Sequence, residues 1–585
     1  MTLSSTITYD TLMTSSADRV LFPDIVVSAN LIHTPDQWIP TLPLTKAVVT
    51  LGPACSNPNT IDQFIACGVT GFRVNMSHVN TEDALRDTLK TLATVRYCAS
   101  QRKREVAIFA DMKGPEFRVV ADTSISISPG DRVRITTQSG ISGKEGSVVT
   151  LHLEVPEDYD LFRDIKNNNQ GRLSSNQPLF VVINDAKVRI RLNRWAELFD
   201  SEGYLLGTVE TGEWIETNKG TNFPGMNLPH LPGLTRADSW VLSRVFDKEF
   251  VLSAWKNFQN DEAALKSMVE DAIEKGLLHL LGFDYVAPSF VRTYEDLDRF
   301  KHALDSLLAK HVGLIPKIET CEAVTALSDL MIHPLTRGVM VARGDLAAQA
   351  GLIAVPHFQQ KILDTARNAK RFSIVATDVL GSMTDGKPFA TRAEHDGLYR
   401  IMEGGASSFM LSNETAVGRN PVGVIQYALE TFANSFMEGI QARLPVRAEQ
   451  RRRIIDQEKR RHKRMQASGV TNESIRQAQI YRDQIRVTIG ADGDRVINGI
   501  VLWSHRGISA RLAAQTLPSV PIIVVTDEIR VAREAAMTRA LFPILVKRKP
   551  RDGNELREII HGTLRPPPGR GFYDLAIMHN LGNGV

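Results

Sequence analysis

Eight short runs rich in β-branched and apolar residues recur along most of this chain, and they limit what it can fold into. They are KAVVTL (46–51), TGFRV (70–74), VAIFAD (106–111), FDYVAP (283–288), LIPKI (314–318), GVMVA (338–342), SIVAT (373–377) and SSFML (407–411). Most are separated by amphipathic stretches of helical period, such as TIDQFIACG and LRDTLKTLATVRYCA. Apolar strands alternating with helices argue for a parallel sheet covered on both faces. Eight such units are expected to close into an eight-stranded β/α barrel rather than to stay an open sheet.

The regularity breaks after the third run. From Val119 to Pro224 strands alternate with turn residues, as in SPGDRVRITT, GSVVTLHL and PLFVVINDAKVRIRL. This reads as a small all-β domain inserted into the barrel. The expected organisation is an N-terminal extension (1–44), a first barrel part (45–118), the insert (119–225) and a second barrel part (226–435). The second part carries a charged, Trp-containing, helical addition at about 236–276. Beyond it, 436–585 returns to α/β character in INGIVLWS, ISARLAAQTL, PIIVVT and FPILV, a separate doubly wound domain. That domain is interrupted at 447–466 by nine Lys/Arg against three Asp/Glu. Without interleaved aromatics such a run reads as a solvated helix or exposed insertion rather than a nucleic-acid surface.

Bulk properties exclude several classes. A net charge of +3 over 585 residues gives no global reason to expect nucleic acid or a membrane surface. Cys55, Cys67, Cys98 and Cys321 form no CxxC pair, so neither a zinc site nor a disulfide framework is suggested. No apolar run approaches the roughly 18 residues of a membrane span. The Ser/Thr-rich start carries Asp10, Asp18 and Asp24 and lacks a basic head followed by an apolar stretch. A cytoplasmic protein is the expectation.

In a β/α barrel the chemistry gathers at the carboxyl ends of the strands. Those ends here read Arg73, Asn75, Ser77 and His78 after strand two, and Asp111, Met112, Lys113, Glu116 and Arg118 after strand three. Strand five delivers Lys317 and Glu319, strand six Arg343-Gly344-Asp345, strand seven Thr377-Asp378 and strand eight Ser412-Asn413-Glu414-Thr415. Lys317 and Glu319 are two apart and so point the same way. With Asp345 from the next strand, Glu319 can hold one Mg²⁺ through few protein oxygens, while Lys317 supplies positive charge to a phosphoryl group in transit. Gly344 precedes AAQAGL, where a helix N-terminus would suit a carboxylate or phosphate. Asn75, Ser77 and Asp111 offer oxygen ligands and one negative charge, which suits a monovalent cation.

TLGPA, FRVNMSH, DMKGPEFR, KGTNFPG, KIE, GVMVARGDL, ATDVLGSM, TRAE and LSNETAVG stand in the order and approximate spacing of pyruvate kinase signatures, and the chain resembles that family. The resemblance implies the reaction phosphoenolpyruvate + ADP + H⁺ → pyruvate + ATP. It implies Mg²⁺ (or Mn²⁺) on Glu319 and Asp345, and K⁺ on Asn75, Ser77, Asp111 and the Met112 carbonyl. Arg73 would hold the transferring phosphate, Lys317 would stabilise it, and Thr377 would stand beside the enolate. The backbone of Gly344 and Asp345 would hold the pyruvate carboxylate. Arg118, His78, Lys113 and Lys219 would serve the nucleotide and its phosphates, and a homotetramer would be the usual assembly.

The chain departs from the family pattern in places. Asp378 follows Thr377 where the family has Gln, and Asn413 replaces the glycine of SGET. Ser504–Ser509 resembles a sugar-phosphate-binding turn, and by the same resemblance the family's later effector loop is expected to be absent, so that activation by fructose bisphosphate would not follow the usual form. Two other readings are a non-catalytic homologue with a binding role and a different Mg²⁺-enolate enzyme, such as a lyase or aldolase. The retained Lys317, Glu319, Asp345, Arg73 and Thr377 argue against the first. A lidding insert bearing Lys219 argues against the second, because a lyase needs no nucleotide.

Overall fold

The computed structural model describes residues 44–432 and 499–560, with breaks at 157–158, 174–177, 184–186, 195–196, 217–219, 225, 227–230, 232, 257–262, 276–277, 516–520, 553–554 and 557. It also describes the backbone of strands at 7–8, 25–33 and 572–580. The basic run 447–466 and Lys219 lie outside the described residues.

All eight runs form strands of one parallel sheet: Lys46–Leu51, Val69–Asn75, Ala107–Asp111, Tyr285–Ala287, Gly313–Leu314 with Lys317–Ile318, Gly338–Ala342, Phe372–Ala376 and Ser408–Leu411. The fifth comes in two pieces because Pro316 has no N–H to give to the ladder. Those two pieces close the ring. Gly313 and Leu314 pair with Tyr285 and Val286, while Lys317 and Ile318 pair with Met340 and Val341. Phe109, Tyr285, Ile315, Met340, Phe372 and Ile374 fill the barrel interior. A second apolar layer, including Phe64, Phe72, Phe300 and Phe409, lies between strands and helices.

The insert is built on an eight-stranded sheet. It closes because Phe117–Val119 pairs with Gly220–Asn222 on one side and with Val148–Glu154 on the other. It is not wholly β, since a helix, Leu161–Leu173, is laid on it with Leu161 and Ile165 buried in its core. The i, i+4 spacing of those two residues is the reason.

Residues near 236–276 are helical, in Arg236–Val245, Lys248–Lys256 and Ala263–Glu274. They lie outside the helix Glu82–Gln101: Trp255 Nε1 donates to the Leu89 carbonyl at 3.2 Å, and Arg86 donates to Ser253 Oγ at 2.6 Å. Asp238, in the first turn of this addition, reaches further inward. Its carboxylate completes a capping box with Thr235 and accepts from the backbone N–H of Lys113 (3.1 Å) and Gly114 (3.2 Å). The addition thereby braces the turn that follows strand three.

The C-terminal sheet runs in the order 7–8, 25–33, 572–580, 499–503, 522–526, 541–545. Phe572–Asn580 is parallel to Gly499–Trp503, and Ile25–His33 is antiparallel to Phe572–Asn580. This domain seals the barrel floor through the helix Ile529–Met537. Met537 is fully buried with the barrel-interior residues, and a Cβ at Gly71 would meet its sulfur at 2.7 Å, so strand two needs glycine there. Asp284 ties the two domains together. It accepts from Arg96 (2.7 Å), Arg533 (2.6 Å) and the Ile108 N–H (2.8 Å). Among the described residues no helix is long and apolar enough to cross a membrane.

Candidate active site

Strands two, three and five bring four charged side chains together at the rim. Lys317 Nζ stands 3.0 Å from Asp111 Oδ1, 3.0 Å from Glu319 Oε1 and 2.7 Å from Ser289 Oγ. Arg73 Nε donates to the other Asp111 oxygen at 2.6 Å, and its Nη1 donates to Thr50 Oγ1 at 3.1 Å. Burial alone would lower the Lys317 pKa, but Asp111, Glu319 and Asp345 hold its ammonium well above the usual lysine value. Burial likewise opposes the Asp111 carboxylate, yet Lys317 and Arg73 keep it below the ordinary carboxylate range. At Glu319 burial wins and the pKa is raised, despite Lys317 and the Phe290 N–H at 2.5 Å.

Strand six runs straight into the helix Arg343–Ala350, which puts Gly344 and Asp345 in its first turn. Arg343 turns aside to strand seven. Its guanidinium donates to the carbonyls of Ala376 (3.2 Å), Thr377 (2.5 Å) and Asp378 (3.0 Å). Thr377 and Asp378 are both left-handed, with φ of 74° and 48°, a conformation costly for a β-branched residue. The Arg343 fork holds them there. Buried Glu414 braces the same corner by accepting from the N–H groups of Leu380 (3.0 Å) and Ser412 (2.7 Å).

The insert reaches the rim at three points: its first strand, its returning strand and Glu154. Arg118 pairs with Glu116 at 2.5 Å. Burial pushes the Glu116 pKa up to about 7, with Asp345 adding repulsion and Arg118 opposing it. His78 lies close enough to Arg118 and Arg73 that, after burial, both depress its pKa. Asn222, at the end of the insert's returning strand, accepts from Gln349 Nε2 at 2.8 Å and donates to Asp345 Oδ1 at 3.4 Å. Lys113 does not face the cluster; its ammonium pairs with Glu154 of the insert at 3.1 Å.

The sequence reading names Arg343 at the end of strand six without giving it a role, and passes over Ser289, Asp238, Asn222 and Gln349. Ser289 alone had a visible signal, since it follows strand four at the same rim, and its Oγ links Lys317 to the Met112 carbonyl at 2.6 Å.

The donor set fits hard cations. Asp111 Oδ1 and Glu319 Oε1 are buried and make no well-formed hydrogen bond, only the ion pairs with Lys317. Both offer oxygens of the kind hard cations take, beside Lys317 and Arg73. Asn75 and Asp111 are register partners on adjacent strands, and Ser77 follows within one turn. Their oxygens are already engaged, Asn75 Oδ1 by the Ser77 N–H at 3.2 Å and the Met112 carbonyl by Ser289. Among the described residues, no group of three or more His, Cys, Asp or Glu side chains is set to hold a metal by itself.

A β/α barrel with an inserted β domain, and cations gathered over buried carboxylates at its rim, is an arrangement suited to phosphoryl transfer. The family profile described as pyruvate kinase, barrel domain, matches residues 42–270 and 255–425, and that of the pyruvate kinase alpha/beta domain matches 486–565. The chain belongs to the pyruvate kinase family. It is 25% identical over 547 residues to the pyruvate kinase of Chlamydia muridarum, covering 92% of this chain and 95% of that one. It is 27% identical over 507 residues to that of Methylorubrum extorquens, covering 86% and 87%. With the pyruvate kinase of Sporosarcina psychrophila it shares 25% over 524 residues, 89% of this chain and 75% of the other. The family is generally dependent on Mg²⁺ and K⁺.

Proposed function

We propose that this chain transfers the phosphoryl group of phosphoenolpyruvate to ADP, giving pyruvate and ATP. The observation that carries the reading is the Arg73–Asp111–Lys317–Glu319 cluster at the rim. Lys317 is neutralised by two carboxylates, Asp111 and Glu319. An arriving phosphoryl group competes for that ammonium and for Arg73, so the positive charge is already in place and needs no reorganisation. Glu319 and Asp345 would hold Mg²⁺, and Asn75, Ser77, Asp111 and the Met112 carbonyl would hold K⁺. Bound there, the cations would supply charge neutralisation for the phosphoryl group and the enolate oxygen.

The remaining roles fall to the chain's own groups. The backbone N–H groups of Gly344 and Asp345, at a helix N-terminus, suit the substrate carboxylate. Thr377, fixed by Arg343, would stand at the enolate and pass it a proton through water. His78, Arg118, Lys113 and Lys219 would meet the nucleotide, with Lys113 first leaving Glu154. Closure of the insert would exclude water, which otherwise takes the phosphoryl group.

A coupled assay for pyruvate, with Mg²⁺ and with or without K⁺, tests the reading. Absence of turnover by folded protein across a range of candidate effectors would remove it. The Asn222–Gln349 contact predicts a second result. Asn222→Ala should raise the nucleotide KM about three- to tenfold, the worth of one hydrogen bond, and lower the melting temperature by only about a few degrees. An unaltered KM would show that this contact plays no part in closure.

A further inference from the structure

At the end of the barrel opposite the rim, the floor and the helix Ile529–Met537 border a half-open cavity of about 410 Å³. That volume, at a seam between two domains, is in the range of small-molecule sites. Its charged groups are unevenly committed. Asp284 is held by Arg96 and Arg533, and Glu534 pairs with Arg511 at 3.1 Å. Among the described residues the Glu528 carboxylate meets only His505, which stands at 3.9 Å and is already held by Asp527 at 2.6 Å, and so it counts as one free negative charge. On the positive side, Lys310 and Arg530 are exposed and make no ion pair among the described residues. Arg337 gives its Nη1 to the Pro334 carbonyl at 3.0 Å and likewise has no carboxylate partner among them. The uncommitted charge of the cavity is therefore positive on balance.

An imidazole pair also lines the cavity. His279 and His311 meet edge to face, with ring centroids 5.1 Å apart. Burial, and then His279 beside it, holds the His311 pKa down at about 4, so that ring is neutral at physiological pH and can present an N–H as a donor. A monocarboxylate would offer one negative charge to three cations, whereas a phosphate monoester offers two and has oxygens to spare for imidazole donors.

We propose that this cavity binds a small phosphorylated metabolite, its phosphate held by Lys310, Arg337 and Arg530 and its uncharged part lying against His279 and His311. Because Lys310 and Arg337 belong to the barrel and Arg530 to the C-terminal helix, the ligand would clamp the two domains together. Binding requires no turnover, so the proposal stands or falls apart from the catalytic reading.

The test is calorimetry on the full chain with a hexose monophosphate, inorganic phosphate and lactate, comparing wild type with Lys310→Ala/Arg530→Ala. Both side chains are exposed, so the variant should keep the wild-type melting temperature without ligand. Anion binding at the phosphoryl-transfer rim is a background common to both proteins. The hexose monophosphate should bind wild type more tightly than inorganic phosphate does, and the variant at least about tenfold more weakly. Equal affinity for the two proteins would overturn the site. Lactate binding as tightly as the phosphate ester would overturn the ligand class.

Discussion

Lys317→Met should lower the rate of pyruvate formation by about 10³-fold or more, the scale on which loss of one preorganised charge-stabilising donor is felt. The ammonium is the group shared between Asp111 and Glu319, and it is the one best placed to follow a phosphoryl group in flight. The variant also leaves Glu319 buried with one N–H partner, from Phe290, so some loss of stability accompanies the loss of rate. Calorimetric binding of phosphoenolpyruvate with Mg²⁺ separates the two effects. Affinity within a few-fold of wild type, with turnover gone, identifies a role in the transferring step. An active variant would sink the assignment of roles.

The second large effect lies at the floor. Asp284→Ala should cost about 3–5 kcal/mol, because it leaves Arg96 and Arg533 buried around an absent charge. Burial alone would raise the Asp284 pKa, but Arg533 and Arg96 hold it below the ordinary carboxylate value. A depressed folded-state pKa stabilises fully above the unfolded value, about 3.9, and that stability is lost as pH falls through the folded value. The gap in melting temperature between wild type and variant should therefore stay constant from pH 8 to about pH 5 and narrow only below about pH 4. A gap of less than 1 °C at neutral pH would mean that this junction carries little of the domain docking.

The barrel was legible because its strands are apolar on both faces and the intervening segments keep helical period. Even Pro316, which divides strand five, left the run LIPKI recognisable. The rim was partly legible for the same reason: in a barrel, strand ends and a spacing of two fix which side chains converge, and Lys317 with Glu319 obey that rule. What stayed hidden depends on distant partners. Neither Thr377 nor Asp378 is glycine, so nothing local signals their left-handed backbone; the cause is Arg343, one strand earlier. Asp238 looks like an ordinary capping residue, yet it braces a turn more than a hundred residues upstream. At the turn Ser504–Ser509, whose residues resemble a sugar-phosphate site, the sequence does not show that Asp527 stands 2.6 Å from His505.

The pairing of Ile25–His33 with Phe572–Asn580 joins segments from nearly opposite ends of the chain. During synthesis, Ile25–His33 leaves the ribosome well before its partner and waits while the barrel and the rest of the C-terminal sheet are made. The barrel can form in that interval, while the C-terminal sheet is completed last. Deleting the early strand would leave the backbone edge of Phe572–Asn580 open for nine residues, a template for pairing with another molecule. A short N-terminal trim, made for convenience in expression, would thus be felt at the far end of the polypeptide, as aggregation.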